Sequence, residues 1–128
     1  MPMFEKGWDK LSEVTGGKGE QTIQNLMKFS PDLCKYIVEF AYGDIYSRPG
    51  LDLKQRMIVT MTALITQGDC EKELGVHVGS ALNVGLEPQE IVEVALHCIP
   101  YVGFPRVMNA IGIIRKVFEE RQIQYLDV

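Results

Sequence analysis

The sequence has 128 residues, of which 46% are hydrophobic and 23% are charged, and its formal net charge is −4. These values are typical of one globular domain and do not fit nucleic-acid binding, which needs clustered Lys and Arg. No apolar run reaches the roughly 18–20 residues of a membrane span, and the first ten residues lack the apolar core of a secretory signal. We therefore predict a single domain over residues 1–128 in the cytosol, with neither nucleic acid nor membrane as a partner.

The three cysteines, Cys34, Cys70 and Cys98, form no pairing pattern. An odd count without an export signal indicates reduced thiols. Neither a CxxC nor an HExxH spacing occurs, and these are the commonest sequence signatures of a metal site. The sequence therefore predicts that no metal is bound.

Short helices are predicted over residues 3–29, where Phe4, Trp8 and Leu11 recur at helical spacing and Gly16–Gly17 ends the first helix. A third helix follows a strong start signal, with Ser30 as N-cap and Pro31 at the first helical position. It extends to about residue 45, and we expect its core face to consist of Leu33, Ile37, Phe40, Ala41 and Ile45.

Two further helices are predicted in the middle of the chain. Residues 52–67 begin amphipathic and become apolar nearly all the way round, which is typical of a helix buried on most sides. The next helix lies within Gly68–Gly85, with Asp69 as its N-cap and Gly85 as its stop.

One stripe of this last helix carries a thiol, a carboxylate and an imidazole, from Cys70, Glu73 and His77. Glu73 and His77 are four residues apart, so their Cβ atoms lie roughly 5–6 Å apart. Cys70 lies about 10 Å along the axis from His77, too far for a direct hydrogen bond. The pair is either a functional couple or an ordinary surface ion pair.

The chain closes with two more predicted helices. Pro88 starts one over residues 87–99, Pro100 and Gly103 interrupt the chain, and Pro105 opens a last helix to about residue 121. The tail over residues 122–128 is either disordered or packed on a neighbour. No segment alternates like a strand, so we predict an all-α bundle of about six to seven helices. Its apolar surface exceeds what a small monomer buries, which favours a homo-oligomer over a well-packed monomeric bundle.

Four blocks of sequence carry a family resemblance: RPGLDLKQR at 48–56, HVGSALNVG at 77–85, EIVEV at 90–94 and YVGFPRVMNA at 101–110. Their order and spacing resemble the carboxymuconolactone decarboxylase family over about residues 40–118. The resemblance implies an all-helical, alkylhydroperoxidase D-like protomer that assembles as a trimer or hexamer. One block alone would be weak evidence, whereas four in order are specific for the fold.

The family contains two kinds of chemistry. Its disulfide-reductant branch has Cys-x-x-Cys-x-x-x-His, which falls here on Cys70, Glu73 and His77, and its relay Glu falls on Ile58. Because the second thiol is replaced by a carboxylate, an intramolecular disulfide cannot form. The chain resembles the decarboxylase branch at His77 instead.

That resemblance implies removal of carbon dioxide from a small carboxylated lactone in aromatic catabolism, without a cofactor. His77 is our candidate general acid, oriented by Glu73, although a glutamate-paired structural histidine is the alternative. Arg48 and Arg56 are candidates to hold a carboxylate of this acidic small-molecule substrate, although solvated surface arginines are common.

His97 follows Glu93 by four residues and is a candidate second donor, unless it only stabilises a helix end. Tyr101 either lines the pocket or contacts a neighbouring protomer. Two rival functions remain open. One is a single-thiol peroxidase that uses Cys70 at a helix N-terminus, and the other is a non-catalytic helical assembly that binds a small acid.

Overall fold

The computed structural model describes residues 2–125, and every regular element in this range is helical. In this range there are six α-helices of at least ten residues and one π-helix, seven in all. This confirms the predicted all-α class for this part of the chain. Residues 126–128 of the predicted tail lie outside the described range. In chain order the elements are α1 (Pro2–Thr15), α2 (Lys18–Met27), α3 (Pro31–Lys35), the π-helix π1 (Tyr36–Ile45), α4 (Leu53–Gln67), α5 (Glu71–Asn83), α6 (Pro88–His97), α7 (Ile99–Val102) and α8 (Phe104–Glu120).

The chain divides into two compact units, Met1–Leu53 and Lys54–Val128. The first contains α1 to π1, and the second contains nearly all of α4 together with α5 to α8. Within residues 2–125 no helix is both long enough and apolar enough to cross a membrane. The organisation as a single domain stays a prediction.

The predicted helix boundaries of the first unit are confirmed. Gly16 and Gly17 both have positive φ values, 64° and 97°, and separate α1 from α2. The Ser30 side chain accepts a hydrogen bond from the backbone N–H of Leu33 at 3.4 Å, with Pro31 at the first helical position. These boundaries follow from local backbone chemistry, which is why the sequence predicts them.

The predicted core face of the third helix is wrong. Cys34, Val38 and Tyr42 are buried instead, on a stripe displaced by one residue. The neighbouring helices determine this face, since α3 packs on α2 and π1 packs on α1. The winding also changes where α3 continues into π1, because the Tyr46 N–H donates to the Ala41 carbonyl across five residues. Wider turns carry a different set of side chains toward α1, which packs on π1. Three side chains of the predicted face are exposed: Leu33, Phe40 and Ile45.

Helix α4 buries a single stripe, formed by Met57, Met61 and Ile65. Ile58 and Val59 on its other side are 37% and 58% exposed. The prediction of a helix buried on most sides is therefore wrong for the single chain. Within the described residues, part of the apolar surface of α4 therefore remains exposed.

Helix α5 begins one residue later than its capping signals predict. The N-cap is Cys70, and Asp69 has a left-handed φ of 54° directly after Gly68 at 72°. Two successive left-handed residues turn the chain sharply out of α4, so Asp69 is part of the turn and not the cap. The predicted stop is confirmed, because α5 ends at Asn83 and Gly85 has a φ of 105°.

The start of α6 is a capping box in which the Glu90 side chain accepts from the backbone N–H of Glu87 at 2.8 Å. Leu86 and Ile91 are both buried on either side of it. Gly103, at a φ of 91°, separates the short α7 from α8, which packs on α5 and α6. These helices and α4 form the frame of the candidate site.

Candidate functional site

The stripe of α5 places His77 half-buried and Glu73 exposed one turn before it. The Nδ1 atom of His77 is sealed from solvent and has no hydrogen-bond partner. The hydroxyl of Ser80, three residues further along α5, is also buried and also has no hydrogen-bond partner. Two unpaired polar atoms therefore lie within one turn of a single helix, where buried polar atoms are normally satisfied.

Burial lowers the pKa of His77 below its ordinary value of 6.5, and the negative charge of Glu73 opposes this shift. Desolvation is the larger effect, so the folded protein favours the neutral imidazole at neutral pH. A neutral ring donates from one nitrogen and accepts at the other, so its function depends on which nitrogen carries the proton.

The lowered pKa of His77 predicts a pH-dependent stability. Below about pH 6.5 the unfolded chain protonates this histidine and the folded chain resists doing so, so the free energy of unfolding falls as the pH drops toward the folded pKa. We expect His77→Gln to remove part of the difference in stability between about pH 7.5 and about pH 5.5, measured by urea denaturation.

The matched control is His97→Gln, which changes an exposed histidine at the end of α6. An equal flattening by both substitutions, or by neither, would contradict the assignment of the effect to burial of His77.

A cavity of about 680 Å³ lies in the second unit between α4 and the pair α6–α7. It brings together His97 and Tyr101, whose ring centroids are 5.9 Å apart with an interplanar angle of 43°. Its volume is within the range of small-molecule sites. The lining consists of Ile58, Thr62, Thr66, Glu87, Gln89, Glu90, Glu93, Val94, His97, Cys98, Tyr101 and Val102.

Sequence reasoning missed the hydroxyl side of this cavity. Thr62 and Thr66 face it from α4, four residues apart within an otherwise apolar run, and that spacing was the available signal. Burial raises the pKa of the Cys98 thiol, which the hydrogen bond with Thr62 opposes. Thr62 and Cys98 thus connect α4 to the end of α6 at the cavity wall.

Cys70 lines a separate small cavity of about 70 Å³ between α4, α5 and α8. Arg106 closes one side, and its Nη1 donates to the Gln67 carbonyl at 3.0 Å. The guanidinium lies where a Cβ on Gly68 would be, and the φ of 72° at this residue is the left-handed backbone that favours glycine in the turn between α4 and α5. This space is about one tenth of the volume of the large cavity.

Thiol accessibility predicts an order of reaction. Cys34 and Cys98 are buried, whereas Cys70 is half-buried. We expect dithionitrobenzoate to modify Cys70 first in the native protein. The fast phase of this reaction, followed by the absorbance of the released product at about 412 nm, should be lost in Cys70→Ser. Persistence of the fast phase in that variant would contradict the expected order, and denaturation should expose all remaining thiols.

Neither of the two arginines predicted to hold a carboxylate lines a described cavity. Arg48 is exposed in the loop before α4, and Arg56 is half-buried on α4. The arginine in a described cavity lining is Arg106, which sequence reasoning missed although it sits in the first turn of α8. The binding roles of Arg48 and Arg56 stay predictions.

Sequence-predicted residues thus fall into three places in the second unit. His97 and Tyr101 share the large cavity, Cys70 faces the small one, and the pair Glu73–His77 lies on α5 outside the lining of either. Among the residues described, no three His, Cys, Asp or Glu side chains cluster as a metal site would require. The absence of a metal in the protein stays a prediction.

Comparison with known proteins agrees with the helical fold. The family model described as the carboxymuconolactone decarboxylase family matches residues 31–116. The chain is 34% identical to a 4-carboxymuconolactone decarboxylase of Acinetobacter baylyi, covering 91% of this chain and 87% of the relative. It is 33% identical to a nitrosuccinic acid decarboxylase of Metarhizium robertsii, covering 92% and 82%. It is also 31% identical to an uncharacterised 15.0 kDa protein of Paracoccus denitrificans, covering 92% and 89%.

Proposed function

Because the chain belongs to the carboxymuconolactone decarboxylase family, we propose that it is a carboxy-lyase that decarboxylates a small carboxylated lactone without a cofactor. Two relatives that match most of the chain are named as decarboxylases, and both names specify a small organic acid. The observation that carries the proposal is the half-buried His77 one turn after Glu73, in a chain of this family.

The substrate class follows from the chemistry of carbon dioxide loss. The bond to the leaving carboxylate breaks and its electron pair passes into the remaining molecule, so an electron-withdrawing group must receive it. A conjugated lactone carbonyl and a nitro group both do so, and these are the groups in the two relatives' names. A substrate with such a group needs no cofactor as an electron sink, which supports the cofactor-free reaction.

His77 supplies the proton that the carbon skeleton takes up after carbon dioxide leaves. Its Nδ1 is sealed, so Nε2 is the nitrogen that serves as the donor. The ring also stabilises the charge that develops on the lactone oxygen, because a donor in a half-buried position acts more strongly than one in water. Glu73 opposes the lowering of the His77 pKa and so keeps a protonated fraction available.

We further propose that the substrate binds from the large cavity through His97 and Tyr101, with the hydroxyls of Thr62 and Thr66 opposite them. His77 does not line this cavity, so the bound substrate must extend from it to α5 for the proton transfer. Of the three glutamates in the lining, Glu87 and Glu90 form the capping box of α6. Aromatic catabolism is the setting in which a carboxylated lactone arises, and we propose a cytosolic location for this chemistry.

We propose that the chain forms a single domain that assembles as a homo-oligomer, most readily a trimer or hexamer. The support is apolar surface that the chain leaves uncovered, including Phe29 at 90% and Val59 at 58% exposure. Burying such side chains against another copy stabilises an assembly. Sedimentation velocity measures the state directly, and a monomer at micromolar concentration would contradict the proposal.

The test of function is turnover of 4-carboxymuconolactone, followed by ultraviolet absorbance with carbon dioxide release as a second readout. We expect wild type and Cys70→Ser to turn over at similar rates. Absence of carbon dioxide release by the wild type would reject this substrate. A peroxide-dependent activity that Cys70→Ser abolishes would support the single-thiol peroxidase, whose small reactant fits the 70 Å³ cavity beside Cys70.

A further inference from the structure

Two buried polar atoms on α5, His77 Nδ1 and Ser80 Oγ, lack hydrogen-bond partners. The function proposed above assigns no role to Ser80. His77 Nδ1 is sealed from solvent, and the Ser80 side chain is only 2% exposed with its Oγ unpaired. An unpaired buried polar group costs free energy comparable to a lost hydrogen bond, so two of them one turn apart require an explanation. A buried serine in a helix usually bonds the carbonyl four residues back, and Ser80 does not.

Helix geometry brings the two side chains toward each other. Residues three apart on a helix are lateral neighbours, with Cβ atoms about 5–6 Å apart. Helical side chains lean toward the N-terminus, so the Ser80 side chain lies over the turn that contains His77. A serine hydroxyl needs only a rotation about χ1 to change its partner.

We propose that Ser80 is a positioning residue for His77: its hydroxyl, which makes no hydrogen bond in this structure, turns about χ1 to pair with Nδ1, so that the exchangeable proton is held on Nε2. In the neutral ring the Ser80 hydroxyl donates to Nδ1, which leaves the proton on Nε2. In the imidazolium the same hydroxyl accepts from Nδ1–H. A hydroxyl serves both states because it is donor and acceptor at once, whereas a carbonyl oxygen could pair only with the protonated nitrogen.

The charged side chains near α5 do not supply the missing hydrogen-bond partner of His77 Nδ1. Glu73, on the same helix, acts on the His77 ring through its charge. Arg121, directly after α8, donates to the Gly79 carbonyl and the Asn83 side chain, at 3.2 Å and 3.1 Å. Ser80 is thus the side chain on the next turn of α5 whose hydroxyl is buried and has no partner in the described residues.

The role in catalysis rests on the proposed function, whereas the hydrogen bond itself does not, so the primary test needs no substrate. Nitrogen-15 NMR of the imidazole, at a pH above the His77 transition, reports which nitrogen carries the proton. We expect wild type to show the Nε2–H tautomer. A wild-type protein with the proton on Nδ1 would overturn the proposal, and this measurement holds whether or not any variant folds.

Ser80→Ala removes the hydroxyl with little change of shape. We expect a mixture of tautomers, a shifted His77 pKa, and a kcat about tenfold lower with KM within about twofold, because one donor position is lost from the transition state. Ser80→Thr keeps the hydroxyl and should restore the Nε2–H tautomer wherever the added methyl is accommodated. Unchanged tautomer and pKa in Ser80→Ala would overturn the proposal.

The matched control is Thr15→Val, which removes another buried hydroxyl, one that accepts from Gly19 N–H and donates to the Leu11 carbonyl. Its loss should lower stability and leave the His77 tautomer unchanged. If no lactone is turned over by wild type, the decarboxylase proposal falls, and the tautomer result still decides the contact with Ser80.

Discussion

Replacing His77 with alanine is expected to lower kcat for lactone decarboxylation by about 10³-fold, the middle of the range for loss of a general acid. The physical reason is that this side chain both stabilises the developing oxyanion and returns a proton to carbon. Stopped-flow or steady-state absorbance at saturating substrate measures the effect. KM should change little, because an interaction made mainly in the transition state is removed.

Glu73→Gln is the companion variant, because it removes the charge next to His77 and keeps the shape. The carboxylate opposes the lowering of the His77 pKa, so its removal should lower that pKa further. We expect kcat to decline at lower pH than in wild type as the pH is raised, since the acid must be protonated to act. A pH profile that does not move would assign Glu73 to the solvated surface.

The control for a nonspecific effect is His97→Ala in the large cavity, which we expect to act mainly on KM if the substrate binds there. Equal loss of kcat in the His77 and His97 variants would show that the two histidines act as one unit. Full activity in His77→Ala would reject this residue as the acid and leave His97, one turn after Glu93, as the remaining histidine of the chain.

The sequence predicts what local chemistry determines. Ser30, Pro31 and Gly85 act through their own backbone geometry, so these helix boundaries are confirmed. The predicted buried face of residues 31–45 was wrong because that face depends on packing of α3 against α2 and of π1 against α1, which spacing within the segment does not encode.

The candidate site was predicted in parts for the same reason. The pair Glu73–His77 follows from helix spacing. That Thr62 from α4 reaches Cys98 at the end of α6 is a contact between distant segments. The unpaired state of Ser80 is equally invisible to sequence, because a serine in an apolar run carries no sign of whether its hydroxyl has a partner.

The largest expected effect on stability is that of Gly7→Ala in α1. Gly7 is buried where α1 packs on π1, and a Cβ at this position would overlap the carbonyl oxygen of Val38. The obstacle is backbone, so the helices must separate to admit even one methyl group. We expect a loss of about 3 kcal/mol in the free energy of unfolding and a Tm lower by about 10 °C, measured by calorimetry.

Two comparisons make this prediction specific. Gly112→Ala places the same methyl on α8 with no atom within 4 Å, and should raise stability by about 0.5–1 kcal/mol through helix propensity. Trimming the neighbour in the double variant Gly7→Ala/Val38→Ala should not rescue stability, because the overlap is with the carbonyl and not with the valine side chain. Rescue there would mean that the close approach of α1 to π1 depends on side-chain packing, and a wild-type Tm in Gly7→Ala would mean that these helices do not cross at Gly7.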